Sequence, residues 1–479
     1  MVSTRRRPAR RRVWPKIRLL LFVAVIAVGA TALYPVWRAA NPDPPELVVR
    51  YRTSTPAMSA AAKPSLEVFN KTDKQLPLSD VTLRYYFTAD DGASYAFNCV
   101  NAAFGCSNLA GRVVEMGKPT GTADRYLEIR FTEAAGTLEP GANSKGIDLQ
   151  LFRTDHKKLD QSDDRSFDAA MTSYQEAKKV TAYRRGVLVW GEEPDGTKPD
   201  AKNKTKASAA PGPLPAVPEG VLFDNFAYTG AQDPALFKHG WLVRTSKGGP
   251  GIKNTWSADG VTFPGDEKAL KGGQVLQLRA STDGTEAGTK QASLGTAASK
   301  FREGTYAARV RFSDEPTSGK DGDHVIQTFY TIGGKGSQYS ELDNEYMPNG
   351  AWGRPGPKLD TVSWHDHRTN DRVYTTTNKS LADWHIVMIR VKDDVVSYWL
   401  DGKKLFVSSG KYAPRADMSV NFNHWFVDLP FKGERVWDMK VDWLYYNANE
   451  VLSAKEVETA AGSFTANGMN YVDTVQGVQ

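Results

Sequence analysis

The stretch Tyr339-Ser340-Glu341-Leu342-Asp343-Asn344-Glu345-Tyr346-Met347 reads as a β-strand with two faces of opposite character. Side chains alternate along a strand, so Glu341, Asp343 and Glu345 share one surface while Leu342, Asn344 and Tyr346 share the other. Three carboxylates in a row crowd like charge and cost stability. A solvated strand face is the plain explanation of such a stripe. Acid–base chemistry is the sharper one.

Retaining cleavage of a glycosidic bond uses two carboxyl groups roughly 5 to 5.5 Å apart. Cα atoms four residues apart on a strand are separated by about 13 Å, and two glutamates leaning inward close that gap where aspartates fall short. The central Asp343 can hydrogen-bond a neighbour and push the pKa values apart. One outer carboxyl is then left ionised as a nucleophile and the other protonated as an acid.

Outward from the motif the chain stays strand-rich. The segments FREGTYAARVRF (301–312), HVIQTFYTI (324–332), LDTVSWHDHR (359–368), DWHIVMIRV (383–391), VVSYWLDGKKL (395–405) and MKVDWLYY (439–446) alternate apolar and polar residues between turn signals. Upstream, LVVRY, SLEVF, VTLRYYF, RVVEM, RYLEIRF, GIDLQLF and VTAYRRGVLVW do the same between residues 46 and 193, which predicts a β-sandwich. Residues 194–218 lose all aromatics and gather Pro, Ala and Lys, the composition of a flexible linker. The fold class is therefore all-β: two β-sandwich domains, 46–193 and 219–450, followed by a segment 451–479 in which VLSAKEVETAA carries the one helical period of consequence.

Residues 1–18 hold eight cations and no acid, and no charge occurs between Arg18 and Arg38 across the apolar run Leu19 to Tyr34. Residues 1–40 thus read as a signal peptide or a signal anchor, with a small-x-small cleavage site at Ala30-Thr31-Ala32. Both forms stay open. Either exports the remainder to the cell surface or beyond, and membrane contact is expected only through this helix if it is uncleaved. Removing those eight charges from the net +6 leaves the rest near −2, which excludes a basic nucleic-acid face. The 12 Trp and 19 Tyr suit stacking on the apolar faces of sugar rings. Phe329 and Tyr330 before the motif, Trp352 after it, and Trp364 with His365 are the candidate lining, with Trp256 and Trp425 as weaker ones. Cys99 and Cys106 are the only cysteines, and in an exported chain they are expected to close one disulfide.

The Glu341-x-Asp343-x-Glu345 strand and its flanking segments resemble glycoside hydrolase family 16 over about residues 221–447. The resemblance implies a jelly roll that hydrolyses β-glucan-type chains internally with retention, Glu341 as nucleophile, Asp343 as assisting acid and Glu345 as general acid/base, with no cofactor for catalysis. Asn344 departs from the pattern, which prefers an apolar residue there. A non-catalytic lectin-like surface protein and a wall-remodelling transglycosylase are the competing readings, and the motif leaves the sugar linkage open.

Residues 46–193 resemble family 3 carbohydrate-binding modules through LSDVTLRYYFTADDG, NCVNAAFGCSNLAG, ADRYLEIRF, LDQSDDRSF and VTAYRRGVLVWGEEP. The resemblance implies a structural calcium ion held by Thr88, Asp90, Asp160, Asp163 and Asp164, and polysaccharide, including cellulose, as partner. It also implies a flat cellulose-gripping strip, but that strip's Trp falls in the loop Arg153-Thr154-Asp155-His156 and its Asp-His pair at Val100-Asn101. Both are replaced.

Overall fold

The alternation that marks the acidic motif places Ser340–Met347 inside a seven-stranded antiparallel sheet. In order, its strands are Trp241–Val243, Ala292–Thr296, Met418–Phe426, Val325–Gly333, Ser340–Met347, Lys358–Asp366 and Asp371–Thr377. The computed structural model describes residues 45–200 and 213–476. A second sheet lies behind the first, built on Leu276–Thr282, Arg435–Asn447, Gly304–Phe312, Asp383–Lys392 and Val395–Leu400. The inward parity of each strand fills the space between them. Leu342 and Tyr346 of the acidic strand bury there with Phe329, Phe422, Val310 and Leu444. Phe329 and Phe422 stack at 5.2 Å, which anchors the acidic strand through its neighbour.

One end of this sandwich is closed by a buried ion pair. Arg435 Nη2 lies 2.7 Å from Asp323 Oδ1, and both side chains are essentially inaccessible. Trp437 Nε1 donates to the same carboxylate at 3.0 Å.

The N-terminal sandwich pairs Leu47–Thr53, Pro64–Asn70, Ile147–Arg153 and Tyr95–Ala102 in one sheet, and Val187–Trp190, Val180–Arg184, Val81–Phe87, Ala123–Phe131 and Leu109–Thr120 in the other. Tyr95–Ala102, with Val100 its one β-branched residue, is a full strand that carries Cys99, and Cys99 and Cys106 form the expected disulfide.

The expectation of two independent modules on a flexible tether is corrected: residues Glu46–Gln479 form one compact unit. Tyr95–Ala102 is the docking edge. Asn98 Nδ2 donates to Ala227 O, His239 Nε2 to Cys99 O at 2.9 Å, and Asn470 Nδ2 to Phe97 O at 2.7 Å. Each satisfies a polar group that the joint removes from water.

The C-terminal segment completes the joint. Ser453 and Glu456 form a capping box that starts the helix Ala454–Ala466. Val457, Ala461 and Phe464 bury against the second sandwich, with Phe464 stacked on Phe223 at 5.2 Å. The strand Tyr471–Asp473 then pairs with Val221–Asp224, and Ser107 Oγ, beside the disulfide, accepts from Asp473 N at 2.8 Å. Between helix and strand, Gly468 sits at φ +78° and accepts from Gly111 N at 3.0 Å. A Cβ there meets Gly111 O at 2.3 Å. Gly468→Ala is therefore expected to lower stability by about 2 to 3 kcal/mol through strain and loss of this contact, read by calorimetry as an earlier separation of the two sandwiches.

Residues 1–40, where the signal peptide or anchor is expected, and residues 201–212 of the linker lie outside the described residues. Among the described residues no helix is long and apolar enough to cross a membrane.

Candidate functional site

Residues opposed in adjacent antiparallel strands share a face, so register decides what surrounds the carboxylates. Glu341 opposes Ile332 and Trp364, Asp343 opposes Tyr330 and Val362, and Glu345 opposes Thr328 and Asp360. One strand further out, Asn423 opposes Thr328 and Arg372 opposes Trp364. Except for Val362 and Asp360, these side chains line a cleft of about 490 Å³ together with Arg244, Pro250, Trp352 and Trp425. All three acids reach it.

The electrostatics raise all three carboxyls. Burial is the largest cause for each. It raises Glu341 to about 7, opposed by the hydroxyl of Tyr339, which donates to Glu341 Oε2 and favours the ionised form. Burial also raises Glu345 to about 7, with further upward pressure from Glu341 and Asp360. Asp343 is pushed well above its ordinary value by burial and by the glutamates on both sides, although Trp364 Nε1 donates to its Oδ2 at 2.7 Å. The three cannot ionise together. Glu341 alone of the three receives a phenolic hydrogen bond, which favours its ionised form.

Of the aromatic candidates, Tyr330, Trp352, Trp364 and Trp425 line the cleft, and Trp352 is 58% exposed. Three expectations are corrected. Phe329 is fully buried on the opposite face, because its neighbour Tyr330 takes the cleft-facing parity. His365 likewise follows Trp364 onto the other parity at a register shift, and its Nδ1 bonds Asp371 Oδ2 at 2.8 Å. Trp256 is buried behind Trp425 and supports the guanidinium of Arg244, whose centre lies 4.3 Å from its ring. Arg244, Arg372, Thr328 and Asn423 were not among the candidates. Their place depends on cross-strand register, which no local pattern reveals. Asn344 is buried in the sandwich, with Nδ2 donating to Phe329 O at 3.5 Å.

In the N-terminal sandwich, Thr88, Asp90, Asp160, Asp163 and Asp164 gather where two loops meet. Thr88 N donates to Asp164 Oδ1 at 2.7 Å, and Asp160 N to Asp90 Oδ2 at 3.2 Å. Burial raises Asp164 to about 8, reinforced by Asp163, Asp90 and Asp160. Thr88 Oγ1 is buried without a hydrogen-bond partner. Oxygen donors, crowded negative charge and an orphaned hydroxyl fit a hard cation in kind. Among the described residues no three carboxylates converge closely enough to form a cage by themselves.

The positions of the replaced strip lie at the joint. His156 Nε2 bonds Phe263 O of the second sandwich at 2.8 Å, and Val100 packs on that sandwich's core. Gln150, on the neighbouring strand, reaches Asp233 Oδ2 at 3.4 Å.

Comparison with known proteins bears on this N-terminal half. The cellulose binding domain family matches residues 48–191. Through these residues the chain belongs to that family. The cellulose binding domain is 38% identical over 148 residues to Exoglucanase-2 of Thermoclostridium stercorarium, covering 31% of this chain and 16% of that protein. It is 40% identical over 137 residues to Beta-mannanase/endoglucanase A of Caldicellulosiruptor saccharolyticus, covering 29% and 10%. It is also 32% identical over 148 residues to an uncharacterized protein in the celA 5' region of Paenibacillus lautus, covering 30% of this chain and the whole of that one. The chain thus spans less than a fifth of the first two relatives. Residues 48–191 are a carbohydrate-binding module of cellulose-binding type, and the acidic strand lies outside the matched range.

Proposed function

We propose that the chain is an exported, retaining, endo-acting glycoside hydrolase of the family 16 type, cleaving β-glucan-type polysaccharide, with the cellulose binding domain docked against it. The observation that carries this reading is the set of three carboxyls on the floor of an open, aromatic-lined cleft. Glu341 attacks the anomeric carbon while Glu345 gives its proton to the departing glycosidic oxygen. A covalent glycosyl ester results. Glu345, now ionised, takes a proton from water, which attacks the same carbon and frees Glu341 with the original anomeric configuration. Tyr339 occupies Oε2 of Glu341, so Oε1 is the attacking oxygen. Asp343, held by Trp364, stays protonated beside the nucleophile and limits the charge in the cleft. A panel of neutral and acidic soluble β-1,3-, mixed-linked and xyloglucan-type polysaccharides tests the proposal through release of reducing ends. Failure on every member, with no sugar released, sinks it.

The same groups set the pH dependence. Catalysis needs Glu341 ionised and Glu345 protonated, and both are raised to about 7, so kcat/KM is expected to form a narrow bell centred near neutrality. Stability runs with one sign. Carboxyls raised on folding contribute fully below their unfolded values near 4.3, and that contribution is lost as pH climbs through about 7. Glu345→Gln should therefore raise Tm at pH 8 and have little effect at pH 4.

For the N-terminal cluster we propose that Thr88, Asp90, Asp160, Asp163 and Asp164 hold calcium, which would supply the charge these oxygens lack. Calcium should raise the unfolding temperature of the full chain and a chelator should reverse the gain. Asp164→Asn should abolish the response; an identical response in that variant rejects the assignment.

A further inference from the structure

The cleft that holds the three carboxyls also holds two guanidiniums that have, among the described residues, no carboxylate at ion-pair distance. Arg244, at the end of Trp241–Val243, is partly buried and lies flat over Trp256. Its Nη2 donates to Gly249 O at 2.6 Å and its Nε to Ser246 Oγ at 3.3 Å, both neutral acceptors. Burial lowers its pKa from the ordinary arginine value. Arg372, across the acidic strand, stacks on Trp364 at 4.4 Å and is likewise without an ion pair.

Several other arginines of this sandwich have an acid partner, although Arg390, stacked on Trp399 at 4.0 Å, has none at ion-pair distance among the described residues. Arg279 pairs with Asp438 at 2.8 Å, Arg354 with Asp360 at 2.9 Å and Arg435 with Asp323 at 2.7 Å. A desolvated cation without its anion is costly, and Arg244 stacks on the buried indole of Trp256. A second unmet group lies in the same part of the cleft. Asn423 Nδ2 donates to Tyr330 Oη at 3.0 Å, but its buried Oδ1 has no partner among the described residues. A sugar hydroxyl would supply the missing donor, and an anion presenting two oxygens would match the guanidinium fork.

We infer that the substrate carries an anionic substituent, a carboxylate or a sulfate ester, on the sugar seated between Arg244 and Asn423. This deepens the hydrolase reading and rests on it for the nature of the cleft.

The test uses the full chain carrying Glu341→Gln, which binds without turnover. Three polysaccharides of one β-glucan backbone are titrated by calorimetry: unsubstituted, carboxylated at C6, and sulfated. An acidic form should bind at least about 10-fold more tightly than the neutral one, and salt should erode the difference. Whichever acidic form is preferred names the substituent. Adding Arg244→Gln should collapse the preference to near parity, while Arg244→Lys, which keeps the charge and the packing on Trp256, should retain part of it. Equal or tighter binding of the neutral polymer, or a preference that survives Arg244→Gln in a protein with unchanged Trp fluorescence and Tm, overturns the inference. Cleavage by the unmodified chain is scored separately. Neutral chains cleaved without acidic preference leave the hydrolase standing and remove the anion site, whereas Arg244-dependent acidic binding without cleavage of any polymer does the reverse.

Discussion

Glu341→Ala is expected to lower the rate of sugar release by at least about 1000-fold, and azide is expected to restore part of it. The logic is geometric. With the carboxylate gone, a small anion can enter from the vacated side while Glu345 still protonates the leaving oxygen, so the product is a glycosyl azide of inverted configuration. In Glu345→Ala the ester with Glu341 still forms for substrates with good leaving groups. Azide then attacks that ester and gives the retained product. NMR of the two azides therefore assigns the two glutamates independently. The same azide configuration from both variants would refute the division of roles, and no rate change in either would refute catalysis by this strand.

The largest expected effect on stability lies away from the cleft. Arg435→Met leaves Asp323 fully buried with only Trp437 to serve its charge, and is expected to cost about 3 to 5 kcal/mol. Most of that is the penalty of an uncompensated carboxylate rather than the worth of the pair. The double variant Arg435→Met, Asp323→Leu should therefore recover much of the loss, as measured by denaturant unfolding of the full chain. A double variant no more stable than the single one would instead mean that the pair's geometry itself holds the end of the sandwich.

The legible part of this protein was what depends on alternation within one strand. Glu341, Asp343 and Glu345 had to share a face once the strand was granted, and Leu342 and Tyr346 had to fill the core behind them. Parity between neighbouring strands was harder. Phe329 and Tyr330 are adjacent and equally aromatic, and only the pairing of Tyr330 with Asp343 decides which one meets the cleft. Arg244 is brought to the cleft at the end of Trp241–Val243, far from the acids in sequence, so no spacing in the chain announced it. The joint was the least visible feature. It is made by Asn, His and Gln side chains reaching backbone carbonyls, such as Asn98 to Ala227 and His239 to Cys99, and a composition typical of a tether hid the fact that its two ends need not part. In the cellulose binding domain the replaced strip positions are spoken for, since His156 and Val100 face the second sandwich.

The final strand, Tyr471–Asp473, belongs to the second sandwich by pairing and to the first by its bond to Ser107. A protease nick anywhere between residues 200 and 213 would accordingly yield not two freely diffusing fragments but a heterodimer of the chain's own halves, co-eluting and keeping its cleft at an unchanged angle to its partner. Covalent continuity there is a convenience of synthesis. The clasp that sets the geometry is written at the other end of the polypeptide.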